Sequence, residues 1–217
     1  CPSFVTVSDA KIKKLETTSF QFPKLINPKI PSIDKTFNIV ITGVGGTGVV
    51  TIGAILAMAS HLEGKGAGVM EMTGLAQKGG AVHIHCKISK KAEDLNAIRV
   101  AIGDAYSLIG GELMVSVSNK TLSLLKRDKT KAVCNNVEAN SGEFTRDRDF
   151  SLPQEGMLLS LKAKIGPDNI SFFDTAKLTE EILGDSIYSN MFLVGAAWQK
   201  GLIPLSEEAI LEAIKLN

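Results

Sequence analysis

The stretch from Phe37 to Ser89 leaves the fewest choices of fold. It opens on an apolar run, Phe37-Asn38-Ile39-Val40-Ile41-Thr42, which passes directly into Gly43-Val44-Gly45-Gly46-Thr47-Gly48. An apolar segment from Val49 to Leu62 follows, then a second run ending Gly68-Val69-Met70-Glu71-Met72. The loop Thr73-Gly74-Leu75-Ala76-Gln77-Lys78-Gly79-Gly80 leads into a third run, Ala81-Val82-His83-Ile84-His85-Cys86-Lys87-Ile88-Ser89. The order reads as strand, glycine turn, buried helix, strand, glycine loop, strand. Asn38 to Thr42 is almost wholly apolar, as in a central strand covered on both faces. Between Val49 and Leu62 nearly every helical face is apolar, which predicts a helix buried all round. Gly64 and Gly66 end it, near the left-handed position that favours glycine.

Downstream, strands and helices go on alternating. Ile98 to Ile102 reads as a strand, and Leu108 to Val117 holds another. Ser118 or Asn119 then caps a short helix through Leu125. Lys131 to Val137 reads as a strand, and Asn140 to Pro153 as a polar surface excursion or hairpin. Met157 to Ile165 has helical spacing, Gly166-Pro167-Asp168 breaks it, and Ile170 to Phe173 is strand-like. Asp174 or Thr175 caps a helix to Leu183, and Met191 to Gln199 forms an apolar helix carrying Trp198. Ser206 caps the last helix, with Leu211 and Ile214 on one face. This alternation predicts a three-layer α/β/α sandwich with a largely parallel sheet and a Rossmann-like start. Residues 1–36 differ: Pro2, Pro23, Pro28 and Pro31 fall there, so the segment reads as a linker and wrapping arm, pinned by Phe20, Phe22 and Leu25. Residues 37–217 form the domain.

Composition rules out several functions. A chain of 217 residues buries roughly 70 % of its unfolded surface and needs no staples. A formal net charge of +1 gives no footing for nucleic acid or a membrane surface. No apolar run approaches the ~20 residues of a spanning helix, and no signal peptide is visible. Cys1, Cys86 and Cys134 are scattered and odd in number, which points to a reducing, cytoplasmic compartment. Both ends read as cut: the chain starts at Cys1-Pro2 without Met and stops at Asn217 straight after a helical pattern.

The Gly43-x-Gly45-x-x-Gly48 spacing follows a strand and opens a helix, the context of a dinucleotide site. Glu71 ends the second strand about twenty residues later, where a ribose-binding acid would sit. Against NAD or FAD binding stands a simpler use of the glycines, a tight turn and close helix–sheet contact. The second glycine loop weighs against a nucleotide, since such a fold has no need of Gln77-Lys78-Gly79-Gly80 there. Paired glycines admit unusual backbone or another chain, and Lys78 offers a point charge to a phosphate or carboxylate. His83 and His85 alternate along a strand and share a face, while Cys86 turns the other way. They read as structural or interfacial, and Cys134 as an inert core thiol. No Ser-His-Asp order, Walker A lysine or Cys-x-x-Cys is present, so the isolated chain is poorly equipped as a catalyst.

The two glycine motifs together, Gly43 to Gly48 and Thr73 to Val82, resemble the gamma (catalytic) domain of 2-oxoacid:ferredoxin oxidoreductases. Many members have Arg-Gly-Gly at the second loop; Gln-Lys-Gly-Gly is similar to the single-chain indolepyruvate ferredoxin oxidoreductase branch. The likeness runs on through Arg99 to Ser118 and from Asn190-Met191-Phe192 into Gly201-Leu202-Ile203-Pro204-Leu205. Cys1-Pro2-Ser3-Phe4 resembles the end of an iron–sulfur segment, with Cys1 a former cluster ligand; the chain itself is expected to hold no metal. The resemblance implies the pyruvate:ferredoxin oxidoreductase domain III type of fold. It implies a full enzyme that decarboxylates a 2-oxoacid such as indolepyruvate to an acyl-CoA. That enzyme would use thiamine pyrophosphate, iron–sulfur clusters and coenzyme A, and pass electrons to ferredoxin. The partners implied are the other domains or subunits, in a homo-oligomer. Gly43, Gly45, Gly46, Gly48, Gln77, Lys78, Gly79 and Gly80 carry over as cofactor-binding or interface positions, and Glu71 becomes a structural or loop-anchoring residue. A stand-alone NAD(P)- or FAD-binding protein and a non-catalytic assembly module are the alternatives.

Overall fold

The computed structural model describes residues 23–74, 79–137 and 153–217. Its strands are β1 (Thr36–Val44), β2 (Gly66–Thr73), β3 (Ala81–Ser89), β4 (Ser107–Gly110), β5 (Lys131–Asn135) and β6 (Ile170–Phe173). They make one sheet in the order β2-β3-β1-β4-β5-β6. β1, β4, β5 and β6 run parallel, and β3 runs antiparallel to both its neighbours. The helices are α1 (Val50–Leu62), α2 (Leu113–Ser116), α3 (Asn119–Leu124), α4 (Gln154–Ile165), α5 (Thr175–Leu183), α6 (Ser189–Gln199) and α7 (Glu207–Leu216).

β1 lacks alternation because both its faces are covered. Ile39 and Ile41 face α1, α6 and α7 in one core that includes Ile52, Leu56 and Leu193. Val40 faces the other core, with Leu108, Cys134, Leu161 and Ile165 under α3 and α4. The three-layer α/β/α sandwich expected from the alternation is what forms.

Several local expectations change. α1 is not buried all round: Ile52, Ile55, Leu56 and Ala59 form its buried stripe, while Met58 is 40 % and Leu62 44 % exposed. The helix lies on one sheet face with α7 beside it, which leaves its outer side open. Ile98 to Ile102 forms no strand; the Val100 N–H donates to His85 Nδ1 at 2.8 Å instead of to a ladder. β4 stops at Gly110, because Glu112 caps α2, its carboxylate accepting from the N–H groups of Met114 and Val115. In α7, Leu211 and Ile214 lie on the exposed side, and Ala209, Ile210 and Ala213 pack inward.

Other signals hold. Ser118 caps α3, Asp174 caps α5 and Ser206 caps α7. Gly64 follows α1 at φ +67°. Along the arm, Leu25 is 64 % exposed and pins nothing, whereas Ile33 is buried. The Gln199 carboxamide donates to the Ile26 carbonyl at 2.7 Å. Phe20, Phe22 and most of the Asn140 to Pro153 excursion lie outside the described residues.

Candidate functional site

The strand order places a switch point beside β1. β1 sends its crossover through α1 towards β2, while β4 sends its own through α2 and α3 towards β5. Adjacent parallel strands whose connections part in this way open a crevice at their carboxyl ends, the usual ligand position of an open α/β sheet.

The first glycine motif fills that crevice's rim. Gly43 belongs to β1, where a Cβ would stand 2.8 to 2.9 Å from three carbons of Val49, so only glycine lets α1 start so close to the strand. Gly46 (φ +93°) and Gly48 (φ +77°) hold the left-handed turn, closed by the Thr47 hydroxyl donating to the Val44 carbonyl at 2.8 Å. Residues 46–48 are exposed. α1 has no side-chain cap and no acid in its first turn. The N–H groups of Thr51 and Ile52 donate to the Gly48 and Val49 carbonyls, and the positive end of the helix dipole favours a negative group placed at the turn.

The second glycine motif is joined to the first through the backbone. The Gly45 N–H donates to the Gly80 carbonyl at 2.8 Å, and the Gly79 N–H returns to the Gly45 carbonyl at 3.1 Å. This reciprocal pair extends the β1–β3 ladder past Val44 and Ala81. Gly79 sits at φ +74° in open space. Gln77 and Lys78 lie outside the described residues.

Three further residues complete the rim. Asn190, at the start of α6, donates from Nδ2 to the Thr47 carbonyl at 2.6 Å. The Gly111 N–H donates to the Thr42 carbonyl at 2.7 Å. Asn135, at the end of β5, donates from Nδ2 to the Gly111 carbonyl at 3.3 Å. None has a local sequence signal, since each acts on an element distant along the chain. Only the strand order brings them together.

The remaining candidates fall elsewhere. Glu71 is exposed on β2, paired with Ile84 of β3. β3 stands between β2 and β1, so two strand spacings, roughly 10 Å, separate the strand of Glu71 from β1, and Glu71 lies level with Ile41, short of the turn. A ribose acid belongs on the strand next to the glycine turn, and the inserted hairpin prevents that. His83 and His85 point together to the face that carries Val40. His83 Nε2 lies 3.3 Å from Ser118 Oγ, and both rings are buried. Burial first, then the charge of Lys120, lowers each imidazole to about 4. Cys86 and Cys134 are free thiols, buried and pushed up to about 12 by that burial, which leaves them unreactive. Among the described residues, no group of three or more His, Cys, Asp or Glu gathers to hold a metal ion, and Cys1 lies outside them. No helix there is long and apolar enough to cross a membrane.

Comparison with known proteins bears on this geometry. Residues 38–217 match the family model described as pyruvate ferredoxin/flavodoxin oxidoreductase. The chain is 29 % identical over 193 residues to the indolepyruvate oxidoreductase subunit IorB of Thermococcus kodakarensis, covering 84 % of this chain and 87 % of that subunit. It shares its fold with the gamma subunit of a keto/oxoacid ferredoxin oxidoreductase from Geobacter sulfurreducens. The TM-score is 0.54 at 19 % identity, over 83 % of this chain and 86 % of that one. It is similar as well to 2-oxoglutarate:ferredoxin oxidoreductase from Magnetococcus marinus, solved with 2-oxoglutarate, coenzyme A and succinyl-CoA bound. There the TM-score is 0.56 at 17 % identity, over 84 % of this chain and 27 % of that longer one.

Proposed function

The chain belongs to the pyruvate ferredoxin/flavodoxin oxidoreductase family, and from that premise we propose that it serves as the gamma domain of an enzyme oxidising indolepyruvate or a related 2-oxoacid. Its curated relatives are subunits of oxidoreductases, so the chain is part of an enzyme. The proposed reaction releases the carboxyl group as carbon dioxide, joins the acyl group to coenzyme A and passes the electrons to ferredoxin.

The single observation that carries this reading is the double hydrogen bond joining the two glycine loops at the switch point. A nucleotide turn would stand alone. Here the turn that holds Gly43, Gly45, Gly46 and Gly48 is tied through Gly45 to Gly79 and Gly80, and Gln77 and Lys78 directly precede that pair in the sequence. We assign these eight positions to cofactor-binding or interface contacts with the rest of the enzyme. The exposed turn at Gly46 to Gly48 and the positive end of the α1 dipole fit an anionic group such as the phosphates of coenzyme A. Thiamine pyrophosphate and the iron–sulfur clusters would supply the decarboxylation and electron-transfer chemistry from other domains. This chain's part is to bind and orient. Gly46 to Gly48 hold the backbone open to the anion, and Asn190 fixes the Thr47 carbonyl so that the turn keeps its shape. Domain boundaries at 36 and 37, the reducing cytoplasm suggested by two free buried thiols, ferredoxin as acceptor and a homo-oligomer belong to the same reading.

Gly46→Ala in the full-length enzyme tests it. At φ +93° an alanine is strained and the turn must shift. The expected result is a rise of about ten-fold or more in KM for coenzyme A with assembly intact. Unchanged turnover with lost assembly would instead make the chain an assembly module.

A further inference from the structure

Midway along β3, at His85, the histidine face opens into a cavity of its own. It encloses about 430 Å³ between the segment 99–102 and α3 and is lined by His85, Arg99, Val100, Lys120 and Ser123 among others, with no acidic residue in its wall among the described residues. The wall is built rather than incidental. The Gly103 N–H donates to the Ser123 carbonyl at 2.9 Å, and the Ala105 N–H to the Leu124 carbonyl at 3.0 Å, so the segment is tied to α3 by its backbone.

His85 is 1 % exposed, and its Nε2 has no hydrogen-bond partner. Nδ1 accepts from the Val100 N–H at 2.8 Å. Because burial and the charges of Lys120 and Arg99 lower this imidazole to about 4, it is neutral at pH 7. With Nδ1 occupied as an acceptor, the single proton must sit on Nε2. The wall therefore carries an ammonium and a guanidinium, and just behind it lies a buried N–H donor whose demand is unmet. An unpaired buried donor costs free energy unless something completes it.

We propose that this cavity binds a phosphate-sized oxyanion, received by His85 Nε2–H, Lys120 and Arg99. Charge-assisted hydrogen bonds from all three would satisfy the imidazole and neutralise the cationic wall. Along β3, His85 is four residues from Ala81, roughly 13 Å from the glycine rim, so the site stands apart from the one proposed for the enzyme's own reaction and does not rest on that reading.

The test uses the full-length protein. Calorimetric titration with inorganic phosphate at constant ionic strength should show one site per chain that is absent with chloride or acetate. Lys120→Met, an exposed position, should weaken it about ten-fold, and Arg99→Met with Lys120→Met should abolish it. His85→Asn keeps an acceptor for the Val100 N–H while removing the Nε2 donor, and should weaken it similarly. Gly46→Ala should leave it unchanged, which separates it from phosphate held at the glycine turn. Crystals soaked in selenate should show anomalous scattering beside His85 Nε2. Phosphate binding indifferent to all three variants, no selenate peak there, or another chain's carboxylate filling the cavity would each overturn the proposal.

Discussion

At the scale of single residues, the buried histidines contribute to the acid sensitivity of the domain. His83 and His85 titrate near 4 in the folded chain because burial, aided by Lys120, disfavours the imidazolium; unfolded, they titrate near 6.5. Above about 6.5 both states are neutral and the contribution is present in full. As pH falls towards 4 the unfolded chain takes up protons that the folded chain refuses, so stability is lost across that window. His83→Gln with His85→Asn should flatten the fall in melting temperature between pH 7 and 4.5, a comparison made by thermal melts of both proteins at matched salt. An equally steep fall in the variant would place the acid sensitivity elsewhere. Sequence showed that the two rings share a face, because alternation along a strand requires it. It did not show the cavity, whose other wall comes from Arg99 and Lys120 on separate segments.

At the scale of elements, the last helix is held by the end of the first. The Ser206 N–H donates to Glu63 Oε1 at 2.6 Å, Lys65 pairs with the same carboxylate, and Lys65 Nζ donates to the Pro204 carbonyl at 2.8 Å. Burial alone would raise the Glu63 carboxyl, but the bonds from Lys65 and Ser206 outweigh it and hold it below the usual carboxylate range. That stabilisation is present above the unfolded pKa and is lost as pH falls through the lower folded value. Glu63→Gln should therefore lower the melting temperature at pH 7 and have progressively less effect in acid; an equal loss at every pH would mean that packing, not charge, is at stake. Elements governed by local rules were legible beforehand: the caps at Ser118, Asp174 and Ser206, the strand from Asn38 to Thr42, the break at Gly166. Misreadings came where tertiary partners decide. Val100 sits in an apolar run yet gives its N–H to a histidine ring, and Leu113 to Val117 looks like strand until Glu112 caps it as helix. The exposed side of α1 was likewise hidden, since an apolar pattern cannot tell core from an apolar side left open to solvent.

At the scale of the molecule, topology decides between two readings that spacing alone leaves open. Strand, glycine turn and helix are common to nucleotide folds and to this family, and Glu71 stands at the right distance along the chain for a ribose acid. What differs is the hairpin. β2 turns back as β3, and β3 takes the place beside β1, which carries Glu71 to the edge and brings Gly79 and Gly80 against Gly45. The same insertion thus removes one partner from the turn and supplies another. Calorimetry on the full-length protein reads this directly. NAD and FAD should give no binding that Glu71→Ala alters, because two strand spacings, roughly 10 Å, separate its strand from β1, while coenzyme A binding should weaken when Gly79, at φ +74°, is replaced by alanine. Gly79 has open space around it, so the substitution acts through backbone strain of about 1 kcal/mol or more and not through a clash, and the loop shifts without unfolding the sheet. NAD bound tightly through Glu71 would return the glycine turn to a dinucleotide role and leave the second loop without a function.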